Sequence, residues 1–137
     1  MSRRAALPVD IGDDEPVSGR VYFIQDAASK RIKIGFSTGL GKRFADLKTG
    51  SPNDLSLVFH VRAGRPIERA IHAHLKSERI RGEWFRLSDK TTDVFDEIGY
   101  FLERFEDDSD DVRDHLLTLE EWKSILASPD YGKVDRP

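Results

Sequence analysis

The chain has 137 residues, of which 38% are hydrophobic and 34% charged, with a formal net charge of -3 and no cysteine. That length suits one domain with tails, and the missing cysteine excludes a disulfide framework, a thiol nucleophile and any thiolate zinc site. No stretch approaches the roughly 20 apolar residues of a membrane span, and the start lacks a signal-like apolar run, so the expectation is a cytoplasmic protein with no membrane partner.

Residues 1–19 mix Pro8, Gly12, Pro16 and Gly19 with an acidic run at Asp13-Asp14-Glu15 and read as a mobile leader. Arg20–Asp26, rich in β-branched and aromatic residues, predicts the first strand. Residues 27–30 turn the chain, and 31–36 return as a second strand. Its Ile32, Ile34 and Phe36 share one face, with Lys33 and Gly35 on the other, and this places Tyr22 and Lys33 at matching points on neighbouring strands. Ser37 or Thr38 is placed to cap a helix over 40–48 with an apolar stripe of Leu40, Phe44 and Leu47, which Gly50 and Pro52 end. Leu55–Arg62 alternates through Leu57, Phe59 and Val61 as a third strand.

Gly64 leads into a second helix over 66–77, with Pro66 in the first turn, where its missing N–H costs nothing. Residues 79–82 read as a basic loop and 83–87 as a short strand. Ser88 or Asp89 caps a third helix, in which Val94, Phe95, Ile98, Phe101, Leu102 and Phe105 follow the helical period. Residues 106–114 are acidic without apolar pattern. Residues 118–126 form a short helix carrying Leu119, Trp122, Ile125 and Leu126, and 128–137 a frayed end. No internal repeat is present. The order β-β-α-β-α-β-α predicts an α+β fold, a small antiparallel sheet flanked by helices. It divides into a leader (1–19), a domain (20–105) and an acidic tail (106–137).

The small net charge conceals an asymmetry. Residues 20–86 hold 14 Lys and Arg against 6 Asp and Glu, a balance of +8, whereas 87–137 hold 6 against 15, a balance of -9. A basic body with an acidic extension is a footprint of polyanion contact. Lys30, Arg31, Lys42, Arg79, Arg81 and Arg86 are the candidate nucleic-acid contacts, the last three surrounding Trp84 and Phe85. Those two aromatics are most simply core residues.

Helical geometry sorts the second helix. Ile67, Ala70, Ile71, His74 and Leu75 share an apolar arc, while Glu68 and His72 fall together on its edge, one turn apart. His74 reads as a hydrogen-bonded core histidine, and a His72–His74 zinc pair fails because residues two apart point to different sides. Arg43 lies on the shoulder of the first helix's stripe, from which it can reach over the sheet toward Tyr22.

Val21-Tyr22-Phe23-Ile24, Lys33-Ile34-Gly35, Arg43 with Leu47, Ile67-Glu68 with Ile71-His72, and Gly82-Glu83-Trp84-Phe85 together resemble the GIY-YIG nuclease superfamily. Within it they resemble the branch of phage DNA-binding proteins and the meiotically up-regulated gene group. The resemblance covers about half the chain and implies a metal-dependent DNA endonuclease with a single Mg2+ or Mn2+ ion. By that resemblance Tyr22, Lys33, Arg43 and His72 are catalytic and Glu68 holds the metal. Tyr22 would orient or deprotonate the attacking water, its phenol helped toward ionisation by the cations of Lys33 and Arg43. Lys33 stands where the superfamily pattern calls for a second tyrosine, which removes any two-tyrosine mechanism.

The alternative is a non-cutting DNA-binding module of the same fold. The tail could be a solvated linker, could fold back over the basic face, or could dock a protein partner through 118–126.

Overall fold

The computed structural model describes residues 19–103 and 115–127. Strands β1 (Arg20–Asp26), β2 (Ile32–Ser37), β3 (Leu55–Arg62), β4 (Arg79–Arg81) and β5 (Trp84–Phe85) form one antiparallel sheet in the order β3-β1-β2-β5-β4. Helices α1 (Leu40–Gly50), α2 (Arg65–His74), α3 (Asp89–Leu102) and α4 (Leu119–Ala127) flank it. The fold is α+β, as the element order predicts. Among the described residues no helix is long and apolar enough to cross a membrane. The leader to residue 18, Phe105, the acidic run at 106–114 and the end at 128–137 lie outside the described residues.

Strand β1 is paired on both sides and covered on both faces, so four successive residues, Val21 to Ile24, are buried. Its Val21 and Phe23, with Ile32, Ile34 and Val61 from the neighbours, face α2 and α3. Ile67, Ile71 and Leu75 supply the α2 side of that core, and Val94, Ile98, Phe101 and Leu102 the α3 side. Phe23, Phe59 and Phe95 interlock with ring centroids 5.4 to 6.2 Å apart. Each fully buried side chain of this size contributes roughly 1.5–3 kcal/mol of transfer free energy, which makes this face the main source of stability. Trp122 and Ile125 bring α4 onto the same core. Thr118 caps that helix in a reciprocal pair, its hydroxyl accepting from the Glu121 amide at 3.1 Å while the Glu121 carboxylate accepts from the Thr118 amide at 3.0 Å.

Several local expectations are corrected. The N-cap of α1 is Gly39, with no side-chain cap, because Ser37 Oγ instead accepts from the Gly39 amide at 2.9 Å in the turn before the helix. None of α1 is buried, so its stripe of Leu40, Phe44 and Leu47 only half-packs. Helix α2 stops at His74, and the chain tightens into a 3-10 turn at Lys76–Glu78. The basic loop expected at 79–82 is a strand, β4, that hairpins into β5 through Gly82 at φ 57°. A left-handed residue there favours glycine. Ser88 does cap α3, accepting from the Thr91 amide at 3.3 Å.

Candidate functional site

The site forms around Lys33, Ile34 and Gly35 in the middle of β2. Tyr22 and Lys33 are not opposite each other: Tyr22 pairs with Gly35 and His60, and Lys33 pairs with Ile24 and Trp84. Tyr22 and Lys33 therefore lie diagonally on one face, with Gly35 between them in the strand. The Tyr22 ring crosses directly over Gly35. A Cβ there would fall 2.6 Å from Tyr22 Cζ and 2.8 Å from Glu83 Oε1, with Tyr22 Oη closer still. Glycine is needed here for space, since the phenol and the Glu83 carboxylate fill the volume a side chain would take.

Tyr22 is 1% exposed. Arg43, from α1, donates through Nε to Tyr22 Oη at 3.5 Å, a long hydrogen bond. Burial pushes the phenol above its ordinary range, the Arg43 bond draws it down, and the charge of Glu83 pushes it up again. Arg43 eases the ionisation as expected, but desolvation outweighs it and the phenol is held protonated.

Lys33 is not a free cation. Its ammonium, 14% exposed, lies 3.3 Å from Glu83 Oε1 and 5.4 Å from the centre of the Trp84 ring. Glu83 is fixed by the sheet, since its carbonyl accepts from the Ile34 amide at 2.9 Å. Glu83 Oε1 is buried and meets no donor in hydrogen-bond geometry among the described residues, although the Lys33 ion pair neutralises it. The motif Gly82-Glu83-Trp84-Phe85 by itself assigns Glu83 no role. A carboxylate beside two strand aromatics, where the next strand carries a lysine, was the available signal.

Helix α2 supplies the remaining groups. Glu68 is 8% exposed, and burial raises its proton affinity, with a further push from Glu83. The charges of His72, Arg65 and Arg69 pull it the other way. Arg65 also stacks its guanidinium 4.7 Å from the centre of the Phe36 ring, the residue after Gly35. Both arginines escaped the sequence reading, though their positions three before and one after Glu68 place them within its reach. Glu68 Oε2 is 3.9 Å from His72 Nε2, as their shared helix edge predicts. That nitrogen lies 2.9 Å from the Ile34 carbonyl oxygen. A carbonyl only accepts, so Nε2 carries the proton and has no lone pair for a metal or its water. His72 therefore braces α2 against β2, helped by an edge-on contact with Phe85 at 4.9 Å.

The candidate nucleic-acid contacts fare unevenly. Lys30, Arg31, Lys42, Arg79, Arg81 and Arg86 are all exposed. Lys42 is held by Asp46 at 3.0 Å, and Arg86 Nε is 3.6 Å from Glu78 Oε1. Arg79 donates to the Gly82 carbonyl at 2.8 Å, and Lys30 occupies the β1–β2 turn at φ 68°. Phe85 is fully buried and Trp84 half-buried, as core aromatics should be. His74 is half-buried, its ring edge-on to Trp122 at 5.7 Å, and burial lowers its proton affinity. It borders a cavity of about 200 Å3 between α2, α3 and α4. A shallower one of about 340 Å3 opens between β3 and α3. Neither is lined by Tyr22, Lys33, Arg43, Glu68 or Glu83.

Five of the sequence-selected residues, Tyr22, Lys33, Arg43, Glu68 and His72, thus gather around the middle of β2 together with Glu83. Fold and site define a small α+β domain with an exposed arginine, a buried phenol and two carboxylates in one charged cluster. The chain belongs to the T5orf172 domain family, a family of DNA-binding and nuclease-like domains, whose model matches residues 19–106. No curated protein and no solved structure matches the chain.

Proposed function

We propose that the protein is a metal-dependent DNA endonuclease of the GIY-YIG type that hydrolyses phosphodiester bonds with weak sequence preference. The observation carrying this reading is the convergence of Tyr22 from β1, Arg43 from α1, Glu68 from α2 and Glu83 from the β4–β5 hairpin around the middle of β2. The +8 balance of residues 20–86 suits a polyanionic substrate, and backbone contacts of this kind bind without choosing sequence.

A divalent cation fits the donor set in one form. Among the described residues no three ligating side chains gather, so a closed protein cage is not available. A single buried carboxylate, Glu68, with proton affinity raised by burial and by a second carboxylate, gains from a positive neighbour. That suits a magnesium or manganese ion held mainly by Glu68, with water and phosphate oxygens completing its shell. When bound, such an ion would neutralise charge developing on the phosphate.

The chain's own residues supply the rest. Arg43 is exposed on one side and bonded to the phenol on the other, so its planar fork can grip a phosphate while Nε holds Tyr22 in place. Tyr22, buried and protonated, offers an oxygen lone pair to orient the attacking water. His72 keeps Glu68 in register by tying α2 to the Ile34 carbonyl. Lys33 balances Glu83, which keeps the two carboxylates compatible in one site.

Plasmid nicking with Mg2+ or Mn2+ tests the reading. Wild type should nick, and Glu68→Ala, Tyr22→Phe and Arg43→Ala should each lose about 10²–10⁴ in rate. Equal cutting by Glu68→Ala would assign the activity to a contaminant. A non-cutting DNA-binding module is the second reading, favoured by the engagement of Lys33 with Glu83. Salt-sensitive DNA binding with no cleavage under either metal would establish it.

A further inference from the structure

The site contains a group to which the hydrolysis described above assigns no part in proton transfer: the carboxylate of Glu83. Its Oε1 is buried, lacks a hydrogen-bond donor among the described residues, and faces the same point above Gly35 as the end of the Tyr22 phenol. The phenol oxygen already accepts from Arg43, so its own hydrogen is free to be given away. Glu83 Oε1 comes to the same point above Gly35 without accepting that hydrogen in the resting arrangement, so the transfer requires the phenol hydrogen to turn toward it. We infer that Glu83 is the terminal proton acceptor for the attacking water, with Tyr22 as the relay between them. This inference rests on the endonuclease reading.

The relay resolves a difficulty in using a buried phenol as a base. At its ordinary pKa a phenol is ionised in on the order of one molecule in a thousand at pH 7, and burial here makes that fraction smaller. A relay that ends on a carboxylate removes the need for a phenolate. In the relayed step an O–H bond of water breaks as its oxygen bonds to phosphorus. The released proton passes to Tyr22 Oη while the phenol's original hydrogen passes to Glu83 Oε1, so no phenolate forms. The P–O bond to the leaving oxygen breaks, that oxygen keeps the bonding pair, and it takes a proton from bulk water. Glu83 then returns its proton to solvent.

The neighbours of Glu83 are arranged for this role. Lys33 on β2 pairs with it at 3.3 Å, Tyr22 on β1 closes on the same point, and Glu68 on α2 senses its charge. Arg43 on α1 reaches the assembly through the phenol. The backbone bond from the Ile34 amide to the Glu83 carbonyl holds the residue at the strand end, so the side chain is placed by the sheet rather than by a free loop. Glu83 is 37% exposed as a side chain, which leaves its other oxygen able to exchange the proton with water.

The experiment is single-turnover nicking of supercoiled plasmid with Mg2+ by wild type, Glu83→Gln and Glu83→Asp between pH 7 and 9.5. Glu83→Gln should lower the rate about 100-fold at pH 7 while DNA affinity stays within about twofold. Its rate should then climb about tenfold per pH unit as phenolate replaces the relay, while wild type stays flat. Glu83→Asp should retain an intermediate rate. An unchanged rate in Glu83→Gln, or a loss that is equal at every pH, overturns the relay and leaves the endonuclease reading intact. Absence of metal-dependent nicking by wild type overturns both. A second measurement guards against misfolding: ultraviolet titration of Tyr22, isolated by subtracting Tyr22→Phe. Glu83→Gln should move that ionisation to lower pH, and an unmoved titration overturns the relay even if nicking is lost.

Discussion

Lys33 Nζ stands 3.3 Å from Glu83 Oε1, across the short β2–β5 pair and over the Trp84 ring. The ion pair joins the strand that carries the site to the hairpin that closes it. Removing the lysine leaves a buried carboxylate oxygen without its cation, whereas removing both charges leaves no orphan. Glu83 is partly solvated, so solvent screens the pair. We expect Lys33→Met to destabilise by about 1 kcal/mol and Glu83→Gln in the same chain to recover a good part of that. Urea denaturation of the two single variants and the double variant measures the coupling; strictly additive effects would count against it.

Gly35→Ala should be costly, since the new Cβ would meet Tyr22 Cζ at 2.6 Å and Glu83 Oε1 at 2.8 Å. The tyrosine is pinned by burial and cannot simply swing away. Overpacking of this kind costs about 1–3 kcal/mol. A midpoint in urea equal to that of wild type would mean that the phenol moves freely, which the packing argues against.

Glu68 is a residue whose removal should stabilise the fold. Its folded pKa lies above the unfolded value, because burial outweighs its cationic neighbours. In acid, below the unfolded value, the carboxyl is protonated in both states and carries no penalty. As the pH rises through the folded value, the folded state must bear a desolvated charge, and stability falls. Glu68→Gln should therefore gain about 0.5–2 kcal/mol at pH 7, with the gain vanishing near pH 3, while nicking is lost. Thermal melts at the two pH values test the sign. A variant less stable than wild type at pH 7 would contradict it.

The exposed cations should differ in DNA binding according to what already holds them. Arg81→Ala should lower the slope of log affinity against log salt by about 1. Lys42→Ala and Arg86→Ala should change it less, because Asp46 and Glu78 already compete for those charges. Titrations of a short duplex at four salt concentrations separate the classes. Equal slopes for all three variants would mean that DNA displaces the intramolecular partners.

Much of the fold was legible because its signals are local. Strands β1 and β3 were bounded by alternation and β-branched content, and Ser88 announced α3 because capping chemistry lies within one turn of chain. The shared edge of Glu68 and His72 followed from helical periodicity alone. What was missed depended on contacts between distant segments. The sequence has no means of showing that 79–81 pair as a strand, since that strand exists only through β5. Nor does it show that Ser37 turns back on Gly39 instead of capping α1.

The sequence by itself determined which residues of this protein are suited to chemistry and on which helix edge or strand face each stands. Periodicity is a property of the backbone and needs no partner. Only the tertiary structure decided their state. Strand register put Tyr22 over Gly35 rather than opposite Lys33, and pairing with β5 gave Lys33 a carboxylate. Burial then outweighed the Arg43 bond and left the phenol protonated beside Glu83. Proton affinity and ion pairing depend on solvent access and on charges brought together by folding, so they are settled only when the sheet closes.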